Sequence, residues 1–92
     1  MSAHVPETTT DRLLARREAV VANGVPHGTR IAADQGLGAI LTDVDGRDFI
    51  DLSSGIGVTT LGHSDPHVVE AIIRQASKLQ HACMHIATYE GY

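Results

Sequence analysis

The chain has 92 residues, 42% of them hydrophobic and 20% charged, so it can form at most one small domain with limited apolar surface to bury. Its formal net charge is −4 and its longest basic run is Arg16-Arg17, which argues against a nucleic-acid partner because phosphate binding needs a concentrated basic face. No apolar run reaches the length of a membrane span, and the first twenty residues lack the apolar stretch of a secretory signal. Cys83 is the only cysteine, so no intrachain disulfide can form, and we expect a cytoplasmic protein.

A first helix is predicted to follow a disordered N-terminus of residues 1–8. Thr9 or Thr10 supplies a capping oxygen, and the helical pattern ends near Ala22, before the turn signal of Asn23-Gly24. The apolar stripe of this helix is short, so we expect the helix to dock on another surface. Residues 25–38 contain three glycines and are predicted to be a connecting stretch.

A β-hairpin is predicted next, with strands at about residues 39–44 and 47–52. Asp45-Gly46 is typical of a two-residue type I′ turn, which needs positive φ at both positions. That turn sets Thr42 opposite Phe49 and Ile40 opposite Asp51. Both faces of the resulting hairpin are partly apolar and need cover, which indicates that the chain is part of something larger.

A second helix is predicted after a loop of residues 53–62 that is too rich in glycine and serine to be regular helix. Asp65 is the expected N-cap and Pro66 the first helical residue, and the helix extends to about Leu79. The positions expected to be buried are Val68 or Val69, Ile72, Ala76 and Leu79, with Glu70 and Arg74 paired on the polar face. Residues 80–92 carry no predicted element. Together these elements predict an α+β fold of helix, hairpin and second helix.

The alternation of His81, Cys83 and His85 raises the question of a zinc site. In an extended strand all three side chains point to one side, and either His63 or His67 is available as the fourth ligand that zinc requires. The other interpretation, which the spacing favours, is a structural or pocket-lining stretch that binds no metal.

The remaining motif-like patterns lack residues that their chemistry requires. Asp43-Val44-Asp45-Gly46 superficially resembles a calcium loop, but two of the ligand positions would be Leu41 and Leu52. The spacing of Gly55, Gly57 and Gly62 fits neither a dinucleotide fingerprint nor a P-loop. These glycines therefore belong either to a structural loop or to a loop whose backbone approaches a ligand closely.

No residue of the chain is predicted to be catalytic. Lys78 is the only lysine, and it lies in the last turn of the second helix, where a cation is solvated and favoured by the helix dipole. A lysine that forms a Schiff base should instead be desolvated in a pocket.

Four short blocks in chain order carry a resemblance to a known family. They are Asp43-Val44-Asp45-Gly46-Arg47, Phe49-Ile50-Asp51, Ser54-Gly55-Ile56-Gly57-Val58 and Gly62-His63-Ser64-Asp65-Pro66. The order and content of these blocks resemble the N-terminal segment of the class III aminotransferases, which are fold-type I enzymes that use pyridoxal phosphate. The run Lys78–Cys83 and the pair Tyr89-Glu90 look most like 4-aminobutyrate aminotransferases.

The resemblance implies roles for a few residues. Residues 9–92 would form part of the small domain, with Ile56 and Gly57 lining the path of the substrate. His85 would fall near the substrate pocket, where members similar to 4-aminobutyrate aminotransferase commonly have Gln. The resemblance assigns no cofactor-binding and no metal-binding residue within the chain.

The activity implied by the resemblance is transfer of an amino group from an ω-amino acid to 2-oxoglutarate, with pyridoxal 5′-phosphate as electron sink. In this family the cofactor-binding lysine, aspartate and phosphate loop follow the region that this chain resembles. We therefore expect a fragment that is inactive alone and homodimeric when full length. Two alternatives stay open, a class III aminotransferase of ornithine or acetylornithine type and a small non-catalytic binding or assembly module.

Overall fold

The computed structural model describes residues 5–83 and 85–90. In chain order these residues form helix α1 (Thr9–Val20), strands β1 (Ala33–Leu37), β2 (Ile40–Asp43) and β3 (Asp48–Ile50), a short turn at Ser54–Gly57, and helix α2 (Pro66–Ala76). The strands make an antiparallel sheet in the order β1-β2-β3. The predicted α+β fold is confirmed, with one strand more than the sequence predicted.

Helix α1 begins one residue earlier than expected, because Thr8 is its N-cap. The Thr8 hydroxyl accepts from the Asp11 amide at 3.1 Å while the Asp11 carboxylate accepts from the Thr8 amide at 3.1 Å, which makes a reciprocal capping box. The helix ends at Val20, two residues before the predicted end. Of residues 1–8, residues 1–4 lie outside the described residues, and the predicted disorder of this terminus stays a prediction.

Strand β1 lies in the stretch that was predicted to be irregular, so that prediction was wrong. Its sequence, Ala33 to Leu37, has no β-branched residue and contains a glycine, so it lacks the local signal of a strand. The strand forms because its backbone pairs with β2 across a two-residue turn, in which Gly38 has φ +58° at the first position.

The β2–β3 hairpin exists as predicted, but its turn and register differ from the prediction. The Asp43 amide donates to the Arg47 carbonyl at 2.9 Å and the Gly46 amide to the Asp43 carbonyl at 2.9 Å, so three residues form the loop. Gly46 has φ +81° whereas Asp45 does not have positive φ, as in a type I turn followed by a glycine bulge. Strand pairing is therefore shifted by one residue, with Leu41 opposite Phe49 and Ile40 opposite Ile50.

Buried hydrogen bonds of Asp43 explain why the turn starts there. Its carboxylate accepts from the amides of Asp45 (3.0 Å) and Arg47 (2.8 Å) and from the Arg47 guanidinium (2.8 Å). Desolvation raises the pKa of Asp43, but these donors outweigh it and the net pKa is lowered. The Asp43 carboxylate therefore serves the turn, whereas the Asp45 carboxylate accepts from the amides of Thr9 and Thr10 at the start of α1, at 2.9 Å each.

Helix α2 begins as predicted, with the Asp65 side chain accepting from the amides of His67 and Val68. It ends at Ala76, three residues before the predicted end near Leu79, and Glu70 pairs with Arg74 at 2.8 Å as predicted. The expectation of a buried apolar face was wrong for this chain, since Val68 and Val69 are about 40% exposed and Ile72 is 61% exposed.

The described residues bury little apolar surface. Leu14 and Ala32 are the buried hydrophobic residues among them, and the radius of gyration is 18.4 Å, where about 12 Å is typical of a compact domain of this length. No helix in residues 5–83 and 85–90 has the length and apolar character needed to cross a membrane. The apolar faces of the helices and sheet therefore require cover from outside the described residues.

Candidate functional site

Residues Ser54–Gly57 form a left-handed turn, which we define by four consecutive positive φ angles of 52°, 58°, 61° and 84°. Glycine takes this conformation without steric cost, but Ser54 and Ile56 each carry a Cβ that disfavours it by about 1–2 kcal/mol. A β-branched residue in this region is a genuine outlier, and such outliers cluster at functional sites. The prediction that the loop is not a regular helix is confirmed.

The turn holds Ile56 away from the rest of the described chain. Ile56 is 95% exposed, compared with 90% for Leu52 and 85% for Ile86. Gly57 follows with φ +84° and no atom within 4 Å of the position of a Cβ. The turn thus exposes the apolar side chain of Ile56, and the next residue, Gly57, has no side chain.

Asp51, at the end of β3, anchors the start of this turn. Its Oδ1 accepts from the Ser53 amide (2.9 Å), the Ser53 hydroxyl (2.7 Å) and the Ser54 amide (3.0 Å). Hydrogen bonds from the Ser53 side chain and then from His63 lower the pKa of Asp51 to about 2, against 3.8 for an ordinary aspartate. The carboxylate is therefore ionised and acts only as an acceptor.

His63 anchors the end of the loop. Its Nε2 lies 2.7 Å from Asp51 Oδ2, and because that carboxylate only accepts, Nε2 carries the hydrogen. The His63 backbone exchanges two hydrogen bonds with Gly38 (2.8 and 3.0 Å), which ties the loop to the β1–β2 turn. The His63 ring packs against Gly36, where a Cβ would approach the ring to 2.7 Å.

A small open cleft lies between the left-handed turn and the β1–β2 turn. It measures about 200 Å³, and among its lining residues are Asp51, Ser54, Thr59 and Thr60. Pockets for small molecules usually measure about 300–1,000 Å³, so this cleft is too small to hold a ligand without further walls. The described residues thus supply one side of a site.

The described residues do not fit pyridoxal phosphate as a ligand. Lys78 is exposed just beyond the end of α2, beside an open groove that it shares with Arg74 and Glu90. An amine that forms a Schiff base needs a desolvated pocket, which an exposed residue does not have. Nothing in this arrangement assigns a cofactor step to the chain.

The sequence-predicted site residues lie in two places. Ile56 and Gly57 are adjacent on the left-handed turn, whereas His85 is exposed on the irregular stretch after α2. In the part of the chain that the structure describes, no hydrogen bond or ion pair joins His85 to that turn. Met84, beside it, lies outside the described residues.

The zinc interpretation finds no arrangement to support it in residues 5–83 and 85–90. No three His, Cys, Asp or Glu side chains there come close enough to hold a metal ion. The stretch that carries His81 and Cys83 is not a strand, so the common side assumed for their side chains does not arise.

The Asp51–His63 contact was missed by the sequence interpretation. Both residues were noted as members of motif blocks, but the spacing of twelve residues carries no signal that their side chains meet. The contact depends on the Gly38–His63 backbone pairing, which is a property of the folded chain.

Comparisons with known proteins agree on one family. The family model described as aminotransferase class-III matches residues 20–92. The 4-aminobutyrate aminotransferase of Mycobacterium tuberculosis (strain ATCC 25618 / H37Rv) is 41% identical over 88 residues, which are 96% of this chain and 20% of that protein. The acetylornithine aminotransferase of the same strain is 48% identical over 85 residues, which are 91% of this chain and 21% of that protein.

A solved structure gives the same answer for the fold. The crystal structure of the acetylornithine aminotransferase from Elizabethkingia anophelis superposes with a TM-score of 0.82 at 28% sequence identity, covering 90% of this chain and 21% of the other. The chain spans about a fifth of the length of the relatives that it matches. On the extent of the family match and the identity of these relatives, the chain belongs to the class III aminotransferases.

Proposed function

We propose that this chain supplies the N-terminal part of the small domain of a pyridoxal-phosphate-dependent aminotransferase that uses an ω-amino acid such as 4-aminobutyrate as donor and 2-oxoglutarate as acceptor. Within it, Ile56, Gly57 and His85 line the path of the substrate. The cofactor is held by residues beyond those of this chain, and the chain alone is inactive. The proposal includes a cytoplasmic location, which is expected from the sequence, and a homodimer, which rests on the family resemblance alone.

The observation that carries the proposal is the left-handed turn. It holds Ile56 in a strained backbone conformation with 95% of its side chain exposed, next to a cleft that is incomplete by itself. Strain of this kind persists only where the surrounding structure enforces it, and it is typical of functional loops. The apolar side chain suits the methylene carbons of an ω-amino acid, and Gly57 leaves room for the backbone of the turn to approach the substrate.

The test uses a chimeric enzyme in which this chain replaces the matching segment of the 4-aminobutyrate aminotransferase of Mycobacterium tuberculosis. Ile56→Gln places a polar amide where the proposal puts a desolvated apolar contact, which costs on the order of 1–3 kcal/mol when the amide stays unpaired. We expect kcat/KM for 4-aminobutyrate to fall by about tenfold or more, with unchanged cofactor absorbance and unchanged melting temperature.

The matched control is Val20→Gln, which changes an exposed apolar residue (82% exposed) at the end of α1, remote in sequence from the turn and from His85, and should leave donor kinetics unchanged. A folded Ile56→Gln enzyme with the donor kinetics of its parent would contradict the substrate-lining role. A folded chimera without activity towards any amine donor would contradict the proposed function itself.

A second donor class is supported by a specific observation. The acetylornithine aminotransferase of Mycobacterium tuberculosis is more similar per residue, at 48% identity, than the 4-aminobutyrate enzyme at 41%. His85, where the resemblance leads one to expect Gln, is also consistent with a different donor. Measuring kcat/KM for 4-aminobutyrate and for N-acetylornithine in the protein that carries this segment decides between them.

A further inference from the structure

The Asp51 carboxylate binds both ends of the loop between β3 and α2. Oδ1 of Asp51 receives three hydrogen bonds from Ser53 and Ser54, the residues from which the left-handed turn starts. Oδ2 receives the hydrogen bond from His63 at the far end of the loop. The Asp51 side chain is only 5% exposed, so solvent cannot readily replace these partners.

The two chain ends of the loop are held without these side chains. The Asp51 amide donates to the Ala39 carbonyl at 2.8 Å, and the His63 backbone pairs with Gly38. Side-chain removal at position 63 therefore leaves the backbone attachment in place. What the imidazole adds is a fixed orientation of the carboxylate, since a second oxygen bound at 2.7 Å prevents rotation about the terminal torsion of Asp51.

The imidazole is itself held in one orientation. Its ring packs against Gly36 so closely that a Cβ there would lie 2.7 Å from the ring, and the backbone of Gly36 is not in the positive-φ region. Glycine at position 36 is therefore explained by the space that the His63 ring needs and not by a positive φ angle. Gly36 therefore leaves room for the His63 ring, the ring orients the Asp51 carboxylate, and the carboxylate holds the Ser53 and Ser54 amides.

We infer that His63 and Asp51 are positioning residues, which set the direction in which the left-handed turn presents Ile56 to the amine donor. The inference rests on the proposed function, because it assigns the pair a role in donor recognition. His63 acts through Asp51, and Asp51 acts through the backbone of Ser53 and Ser54.

The test compares five variants in the chimeric enzyme. His63→Ala removes the hydrogen bond, and His63→Gln restores an N–H donor of similar reach. Gly36→Ala leaves His63 intact and displaces its ring. Ile56→Ala, alone and combined with His63→Ala, removes the side chain whose position is at issue. Matched controls are His67→Ala, an exposed histidine on α2, and Gly28→Ala, a glycine with nothing within 4 Å of a Cβ.

The readout is the ratio of kcat/KM values for two amine donors. A purely structural role would lower both values equally and leave this ratio unchanged. We expect His63→Ala and Gly36→Ala to raise KM and to change the ratio of kcat/KM between 4-aminobutyrate and 5-aminovalerate by about tenfold, the lower end of the effect seen when residues that orient the ligands of a metal are removed. We expect His63→Gln to recover most of this loss. In the Ile56→Ala background, His63→Ala should have little further effect on the ratio, because the side chain it positions is gone.

Amide hydrogen exchange distinguishes failure of the positioning role from failure of the proposed function. His63→Ala should speed exchange of the amides of residues 53–59 while leaving those of β1 and β2 unchanged. Unchanged exchange, or an equal loss of kcat/KM for all donors that persists in the Ile56→Ala background, overturns the positioning role and leaves the proposed function standing. If Ile56→Ala alone leaves every donor unaffected, the proposed site has failed and the inference fails with it.

Discussion

At the residue scale, the ionisation of Asp51 decides how the loop responds to acid. Its pKa is about 2 in the folded chain and 3.8 for an ordinary aspartate, so the unfolded state binds more protons between these values. The stabilisation from ionised Asp51 is fully present above about pH 5 and is lost as the pH falls from about 4 towards 2.

The measurement is the melting temperature of the chimeric enzyme and of its Asp51→Asn variant from pH 3 to pH 7. We expect the variant to melt lower by a constant amount above pH 5, and the difference to shrink below about pH 4. Glu70→Gln, which changes an exposed carboxylate of the α2 ion pair, is the control and should show a small difference throughout. A difference for Asp51→Asn that stays the same from pH 5 down to pH 3 would contradict the lowered pKa.

At the element scale, the hairpin and α2 show which local signals are reliable. The Asp65-Pro66 start of α2 was predicted correctly, because an N-cap followed by proline acts through the nearest amides alone. The hairpin turn was predicted one residue too short, because the Asp43 carboxylate draws the amides of Asp45 and Arg47 into a turn that begins at Asp43. Two turn types compete for an Asp-Gly pair, and side-chain hydrogen bonds decided between them.

In the left-handed turn, a substitution that relieves backbone strain should raise stability and lower activity. Ile56→Gly removes a β-branched side chain from φ +61°, where its side chain makes little contact within the described chain. We expect the chimeric enzyme to gain on the order of 1 kcal/mol of stability and to lose at least tenfold in donor kcat/KM. Urea unfolding and steady-state kinetics on the same preparation measure both.

Two outcomes of that experiment would argue against the interpretation. A less stable Ile56→Gly enzyme would mean that the isoleucine packs against other parts of the enzyme more than it strains the turn. A more stable enzyme with full activity would mean that the strain has no functional purpose. Val58→Gly is the control, since Val58 is 75% exposed but its φ is negative, and there glycine should destabilise.

At the scale of the whole molecule, exposed apolar surface governs behaviour in solution. The buried hydrophobic residues in the described ranges are Leu14 and Ala32, while the apolar face of α2 and Leu37 and Ile50 on the sheet are largely open. We expect the 92-residue chain by itself to be partly folded or to associate, because its buried area cannot offset the entropy of ordering the chain. Size-exclusion chromatography and two-dimensional amide NMR of the isolated chain measure this.

Association should weaken when the α2 face is made polar. The double change Ile72→Gln and Ile73→Gln removes two of its most exposed apolar side chains, at 61% and 62% exposure, and Arg16→Gln is the control on α1. A monomer with dispersed amide signals and a cooperative melt in the unmodified chain would contradict the prediction. That result would favour the small stand-alone binding module instead.

Several features of this protein could be predicted from the sequence because they depend on neighbouring residues. These features are the N-cap of α2, the existence of the β2–β3 hairpin, the irregular Gly-Ile loop and the Glu70–Arg74 pair, and each depends on residues that lie close together in sequence. The family followed from short blocks in a fixed order, which are likewise read without a structure. The sequence also indicated that the hairpin needs cover on both faces.

Only the tertiary structure decided the rest, because it depends on contacts between residues distant in sequence. Strand β1 has no strand-like composition and exists through its pairing with β2, and the register of β3 follows from hydrogen bonds to a buried carboxylate. The meeting of Asp51 with His63 needs the backbone bridge at Gly38 and the missing side chain at Gly36. Local propensity depends on each residue by itself. The exposed position of Ile56 depends instead on all of the hydrogen bonds that Asp51 and His63 make to hold the loop.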